Sequence, residues 1–114
     1  MVITIMHKIS EEQITDMLIT AFEGGSNYWC LPESYQPSKW GEQIKNGRMK
    51  VKVYDREDED DLLGTITEQS IRKGISLMME DYPDAYSRWM TGDYDALDAD
   101  IFLQLATMGE VVFG

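Results

Sequence analysis

The chain has 114 residues, 43% of them hydrophobic, and its 21 Asp plus Glu outnumber its 10 Lys plus Arg to give a net charge of -11. This length indicates a single domain over residues 1–114, and the negative charge argues against direct binding to nucleic-acid phosphates or anionic lipid. One cysteine and one histidine exclude an internal disulfide and a Cys/His zinc site. Because no apolar run approaches the roughly 18 residues of a membrane span and the opening MVITIMHK lacks the form of a signal peptide, we expect a cytoplasmic protein.

The first predicted elements are a short strand and an amphipathic helix. Residues 2–6 (VITIM) are rich in β-branched side chains, which is typical of a strand. Ser10 followed by Gln13 forms a capping box, and the apolar residues after it recur at helical spacing. Gly24 is predicted to end this helix in the left-handed conformation.

The middle of the chain is predicted to hold a long connection and then a β-hairpin. Residues 31–47 contain two prolines and two glycines, and we expect a surface connection that could include one turn of helix near Trp40. Alternating apolar and polar residues predict a half-buried strand over 48–55. The acidic run at 56–61 lacks the spacing of a calcium loop and is predicted to be a solvated hairpin loop, from which residues 62–66 return antiparallel.

The second half is predicted to be mainly helical. Thr67 is placed to cap a helix, Pro83 to end it and begin a shorter one, and Gly92 to end the shorter one. These residues predict two successive helices with little chain between them.

A last helix and a final strand complete the prediction. Asp95 or Asp98 is expected to cap the helix and Gly109 to end it, while residues 110–113 (EVVF) can form a strand. The whole chain therefore predicts an α+β domain, with a mostly antiparallel sheet of three or four strands and three or four helices packed on one face.

The segment AFEGGSNYWC, residues 21–30, has two interpretations. Asn27, Tyr28 and Trp29 could bind a small ligand beside the glycine N–H groups. Alternatively, the glycines end a helix and the aromatic side chains fix the chain to the core, which is the commoner arrangement. The loop lacks the glycine pattern of a phosphate-binding site.

The acids near the start of the last helix also have two interpretations. Carboxylates such as Asp93, Asp95, Asp98 and Asp100 could form a catalytic or metal-binding pair. Acids at a helix start are, however, commonly caps that interact with backbone N–H groups. Since Cys30 and the single histidine, at position 7, have no partner motif either, we expect no enzyme, no metal and no cofactor.

Charge is distributed unevenly along the chain. Six of the ten basic residues lie between positions 39 and 56, whereas residues 80–110 hold eight acids, including Glu110, and one cation, Arg88. An acidic helical side is therefore predicted. It could serve solubility alone, dock a basic protein, or imitate the phosphate spacing of a nucleic-acid duplex.

Two segments together resemble a known family. AFEGGSNYW, at 21–29, and DADIFLQLATMGEVVFG, at 98–114, are similar to those of small proteins of unassigned function encoded by phages and prophages. The resemblance covers about 26 residues, and residues 31–65 have no match in the family. This chain has Met108 at a position where the family often has an aromatic residue. It implies an accessory protein of a phage or mobile element, with no activity to transfer.

The resemblance also raises the question of whether the two segments meet. If they form one concave patch with convergent polar groups, a pocket becomes plausible. If Trp29 packs on Phe102 and Leu105, the segments are two halves of one core.

Two functions follow as hypotheses. The preferred one is a non-enzymatic acidic protein that engages a basic protein surface, for example of the host, without binding nucleic acid or membrane. The alternative is a binder of a small nucleotide-like ligand around the GGSNYW loop.

Overall fold

The computed structural model describes residues 9–114; the strand predicted at 2–6 lies outside them. The fold is α+β, as predicted: within the described residues, five α-helices pack against a three-stranded antiparallel sheet. The helices are α1 (Glu11–Thr20), α2 (Trp40–Lys45), α3 (Glu68–Asp81), α4 (Pro83–Thr91) and α5 (Ala96–Met108). The strands are β1 (Cys30–Pro32), β2 (Lys50–Asp55) and β3 (Asp58–Thr67).

The first helix begins as predicted and ends differently. Ser10 Oγ accepts a hydrogen bond from the Gln13 N–H at 3.1 Å, and Gln13 Oε1 accepts one from the Ser10 N–H at 2.9 Å, which completes the capping box. The predicted left-handed end at Gly24 is wrong, because α1 continues into a π-helical turn, Ala21–Gly25, in which Gly24 has no positive φ. Gly25 lies so close to the Ala96 carbonyl that any Cβ would collide with it.

The segment 31–47 is more structured than a surface connection. It contains the end of β1, a 3₁₀ turn at Pro37–Lys39 and the helix α2. Trp40 is 1% exposed, and its ring lies 5.7 Å from that of Phe22 and 5.3 Å from that of Tyr35. Burial of this large aromatic side chain fixes α2 against the first helix.

The sheet has the order β1-β2-β3. The predicted strand at 48–55 is confirmed as β2, but β3 begins at Asp58, before the predicted position, so Asp58 to Asp61 lie in an exposed strand and not in a loop. The register shifts near Tyr54, which pairs with Leu62, whereas Val53 pairs with Gly64. Such an irregularity lets the acidic end of β3 bend away from the regular ladder.

The predicted helix boundaries in the second half are confirmed. Thr67 caps α3, Pro83 begins α4, and Asp95 caps α5 by accepting a hydrogen bond from the Asp98 N–H at 3.0 Å. Gly92 and Gly109 end α4 and α5 in the left-handed conformation, with φ of 81° and 78°.

The last helix lies in the centre of the core. Nine of its thirteen residues are buried, and α3 crosses it so closely that a Cβ on Gly74 would lie 3.0 Å from the Ala106 Cα. The strand predicted at 110–113 is wrong, because this segment is neither helix nor strand. Its backbone is instead hydrogen-bonded to the side chain of Gln104 on α5.

Candidate functional site

The carboxylate of Asp100, which lies on α5 and is 4% exposed, accepts three side-chain hydrogen bonds. Its Oδ1 accepts hydrogen bonds from Ser26 Oγ at 2.6 Å and from Trp29 Nε1 at 2.7 Å. Its Oδ2 accepts one from the Tyr28 hydroxyl at 2.7 Å. Hydrogen bonds to an ionised acceptor are short and strong, so Asp100 holds the whole loop against α5.

The local chain direction brings these donors together. The π-helical turn ends at Ser26, whose carbonyl accepts hydrogen bonds from the N–H groups of Trp29 and Cys30 at 3.1 and 3.2 Å. Strand β1 then starts at Cys30. This tight turn directs three donors, at positions 26, 28 and 29, to a single carboxylate.

Gln104, one helical turn beyond Asp100, binds the C-terminal segment. Its Oε1 accepts hydrogen bonds from the N–H groups of Val112 and Phe113 at 2.7 and 2.8 Å, and its Nε2 donates to the Phe113 carbonyl at 3.1 Å. The Phe113 ring stacks on Trp29 with a centroid distance of 5.2 Å and an interplanar angle of 11°. The segments 21–29 and 98–114 are therefore in direct contact. The Trp29 ring stacks on that of Phe113, and the Phe102 ring lies 5.0 Å from that of Trp89.

A groove of about 720 Å³ lies on the surface above this network. We call it the Tyr28 groove and define it by six of its lining residues, Tyr28, Tyr82, Leu97, Asp100, Ile101 and Val111. Leu97 is 66% exposed and Tyr28 is 50% exposed, which is high for large apolar or aromatic side chains. Within residues 9–114 the lining includes no lysine or arginine.

The predicted ligand-binding residues of the loop are placed differently from one another. Trp29 is 2% exposed, so its ring faces are not open to a ligand. Asn27 is exposed, and Tyr28 stands at the groove with its hydroxyl on Asp100. Of the three, only Tyr28 lines the groove within the part of the chain that the structure describes.

The predicted acidic residues separate into two groups. Asp98 is 1% exposed and receives two hydrogen bonds of 2.7 Å from Arg88, through Nε and Nη2. These bonds hold the pKa of Asp98 below its usual range. Asp98 and Asp100 therefore lie inside the protein and not on an exposed acidic face, whereas Asp93, Asp95 and Glu110 are exposed.

Two other groups are poorly suited to reaction chemistry. Cys30 is 1% exposed, and burial raises the pKa of its thiol to about 12, so it is protonated at neutral pH. Burial and the hydrogen bond to Asp100 raise the pKa of Tyr28 to about 12. Across residues 9–114, no group of three or more His, Cys, Asp or Glu side chains is placed to hold a metal ion.

Several of these contacts cannot be predicted from the sequence. Ser26 and Phe113 belong to no recognisable catalytic or binding motif, and the sequence shows Arg88 only as an isolated cation, without its pairing with Asp98. The two similar segments, which contain Ser26, Asp100, Gln104 and Phe113, were the available signal.

Comparisons with protein-family models, with curated protein sequences and with solved structures returned no match. None of the helices between residues 9 and 114 is both long enough and apolar enough to cross a membrane.

Proposed function

We propose that this chain is a non-enzymatic binding protein that engages a basic protein surface. The observation that supports the proposal is the composition of the Tyr28 groove. It combines exposed apolar side chains with a carboxylate, and its described lining contains no cation. A partner that matches both features would present basic and apolar side chains together.

Exposed acids are the immediate sequence neighbours of three groove-lining residues. Asp81 directly precedes Tyr82, Asp95 precedes Ala96, and Glu110 precedes Val111, and all three acids are exposed. They flank groove residues on three separate segments of the chain. We call Asp81, Asp95 and Glu110 the rim acids. Attraction between such a rim and a basic surface speeds encounter and weakens as salt screens the charges.

Exposed apolar side chains indicate that this surface does more than keep the protein soluble. Tyr28 and Leu97 line the groove. They are two of the five large hydrophobic side chains exposed among residues 9–114. Clustered exposed apolar surface with a polar rim is typical of an interaction site.

A direct experiment is calorimetric titration with a short peptide that combines leucine and lysine. We expect binding at low ionic strength that weakens steeply between about 20 mM and about 500 mM salt. Affinity that is indifferent to salt, or no binding at low salt, would contradict the proposal.

A matched pair of variants tests which acidic surface binds the peptide. Asp81→Asn with Glu110→Gln neutralises two rim acids, and Asp61→Asn with Glu59→Gln neutralises two exposed acids of β3 with the same change in net charge. The rim variant should lose more affinity than the β3 variant. Equal losses would mean that only the overall charge matters.

The alternative is a binder of a small nucleotide-like ligand. The volume of the Tyr28 groove and the exposed Tyr28 ring favour it, because an aromatic ring can stack on a base. Against it, Asp100 and the rim acids repel phosphate groups, and Trp29 is buried. A thermal-shift screen with nucleosides and nucleotides tests it, since a ligand that binds only the folded state raises the melting temperature.

We also propose a biological setting for this binding protein. The resemblance of the 21–29 and 98–114 segments supports an accessory protein of a phage or mobile element, acting in the cytoplasm on a basic protein of the host. Its net charge of -11 disfavours nucleic acid as a direct partner.

A further inference from the structure

Asp98 and Asp100 are both buried carboxylates on α5, but only one has a cation. Arg88 pairs with Asp98 at 2.7 Å. Among residues 9–114 no lysine or arginine forms an ion pair with Asp100, whose three hydrogen-bond donors are neutral. A buried carboxylate without a cation is costly, and a cation brought by a partner would offset that cost.

One carboxylate oxygen of Asp100 can accept a further hydrogen bond. Oδ1 accepts from Ser26 and Trp29, whereas Oδ2 accepts from Tyr28 alone among the described residues. The Tyr28 hydroxyl donates its proton to Oδ2, and its oxygen also interacts with the Gln104 side chain, which leaves one lone pair as an acceptor. A single cationic donor near Oδ2 therefore has two acceptors, one of them charged.

This arrangement suits an ammonium better than a guanidinium. Arginine binds a carboxylate most strongly as a fork with two N–H donors, which needs both oxygens. Oδ1 of Asp100 already accepts two hydrogen bonds, so the fork has no second acceptor there. Lysine presents a compact charge on a flexible apolar stem and needs only one carboxylate oxygen.

The groove walls match the stem of a lysine side chain. Leu97 and Ile101 line the groove and can contact its methylene groups, and two aromatic residues that can attract a cation, Tyr28 and Tyr82, line it as well. We propose that the Tyr28 groove receives a lysine side chain of the basic partner, with the ammonium on Asp100 Oδ2 and the Tyr28 hydroxyl. This inference rests on the proposed function and specifies the chemistry of its main contact.

The test compares three peptides on the full chain at low salt. The first is the leucine–lysine peptide, the second replaces lysine with arginine, and the third replaces it with N-acetyl-lysine. We expect the lysine peptide to bind tightest, the arginine peptide several-fold more weakly, and the acetylated peptide at least about tenfold more weakly because it lacks the charge. Equal or tighter binding of the arginine peptide would overturn the lysine assignment.

A pair of exposed leucines supplies the matched variants. Leu97→Lys places a competing cation at the groove, and Leu62→Lys makes the same change on β3, where Leu62 is 47% exposed and does not line the groove. Both sites are at the surface, so both variants should fold. Leu97→Lys should weaken binding of the lysine peptide by about tenfold or more, and Leu62→Lys by much less.

The outcomes separate the two proposals. Equal effects of Leu97→Lys and Leu62→Lys, with salt-dependent binding retained, would remove the groove as the lysine site and leave the general acidic surface. Failure of both the lysine and the arginine peptide to bind at low salt would contradict the inference and the proposed function together.

Discussion

Trp29 Nε1 donates a hydrogen bond of 2.7 Å to Asp100 Oδ1, and both residues are almost fully buried. This bond joins the loop after α1 to the central helix α5 across 71 positions of sequence. Asp100 also lines the Tyr28 groove. The stability of the loop and the charge of the groove therefore depend on the same side chain.

Replacing Asp100 with asparagine should destabilise the fold. The amide has one acceptor oxygen and an NH₂ group that would face donors from Ser26, Tyr28 and Trp29. Loss of charge-assisted bonds in a buried site predicts a cost of about 2–4 kcal/mol in the free energy of unfolding. Urea unfolding measures it, with the exposed Asp93→Asn as control. Equal stability of the two variants would show that Asp100 does not hold the loop.

Gly25→Ala should be more harmful than Gly24→Ala. A Cβ on Gly25 would collide with the carbonyl of Ala96, whereas one on Gly24 meets nothing within 4 Å. Because the collision is with backbone, we expect a loss of about 2 kcal/mol or more at position 25 and little change at position 24. Thermal unfolding of the two variants compares them directly. A similar melting temperature for both would contradict the close packing of the turn on α5.

Gln104→Leu should release the C-terminal segment. The N–H groups of Val112 and Phe113 would lose their common acceptor, while the leucine still fills the core. Amide hydrogen exchange at these two positions should become about tenfold faster or more, because local opening no longer breaks a hydrogen bond. Exchange in α3 should be unchanged. Unaltered rates at Val112 and Phe113 would mean that another group holds the segment.

The ion pair between Arg88 and Asp98 predicts that the stability of the fold decreases at acidic pH. The pKa of Asp98 is lowered in the folded protein by the Arg88 hydrogen bonds, so the stabilisation is present above the unfolded aspartate pKa of about 3.9. It is lost as the pH falls through the lower folded value. The stability difference between the wild type and Arg88→Met should therefore shrink in acid. A difference that stays constant down to low pH would contradict the pairing.

The raised pKa of Tyr28 predicts that the free energy of unfolding also falls at alkaline pH. Its folded pKa is raised to about 12, first by burial and then by its hydrogen bond to Asp100, compared with about 10 for a free tyrosine. Its contribution is therefore complete below about pH 10 and lost as the pH rises through the folded value. The stability difference between the wild type and Tyr28→Phe should decline over that range. A decline beginning well below pH 10 would contradict the assignment.

The locally encoded features of the fold could be read from the sequence. The caps at Ser10, Thr67 and Asp95 and the left-handed ends at Gly92 and Gly109 depend on residues within one helical turn. Local patterns therefore predicted the start of α1, the boundaries of α3, α4 and α5, and the α+β class.

Elements that depend on distant contacts were not predictable in this way. Strand β1 has three residues including Pro32, and it forms because it pairs with β2. Residues 110–113 have the composition of a strand, but their backbone bonds go to Gln104 instead of a neighbouring strand. The sequence predicts a helix end at Gly24, yet the chain continues into a π-helical turn, in which Gly25 packs against Ala96.

The site shows the same limit. Asp100 looked like one more acid near a helix start, and its role depends on donors more than 70 positions away. The exposed acids could be anticipated from composition, but which carboxylates lie inside could not. Only the tertiary structure separates Asp98 and Asp100 from the rim acids.

The most direct test of the account is a residue-resolved NMR titration of the full chain with the leucine–lysine peptide at low salt. We predict that the amide signals that shift belong to Tyr28, to residues 97–101 and to residues 111–113, and that the shifts disappear at high salt. Shifts centred on the acidic residues 57–61 of the β2–β3 hairpin, or spread evenly over the acidic surface, would contradict the claim that the Tyr28 groove is the binding site.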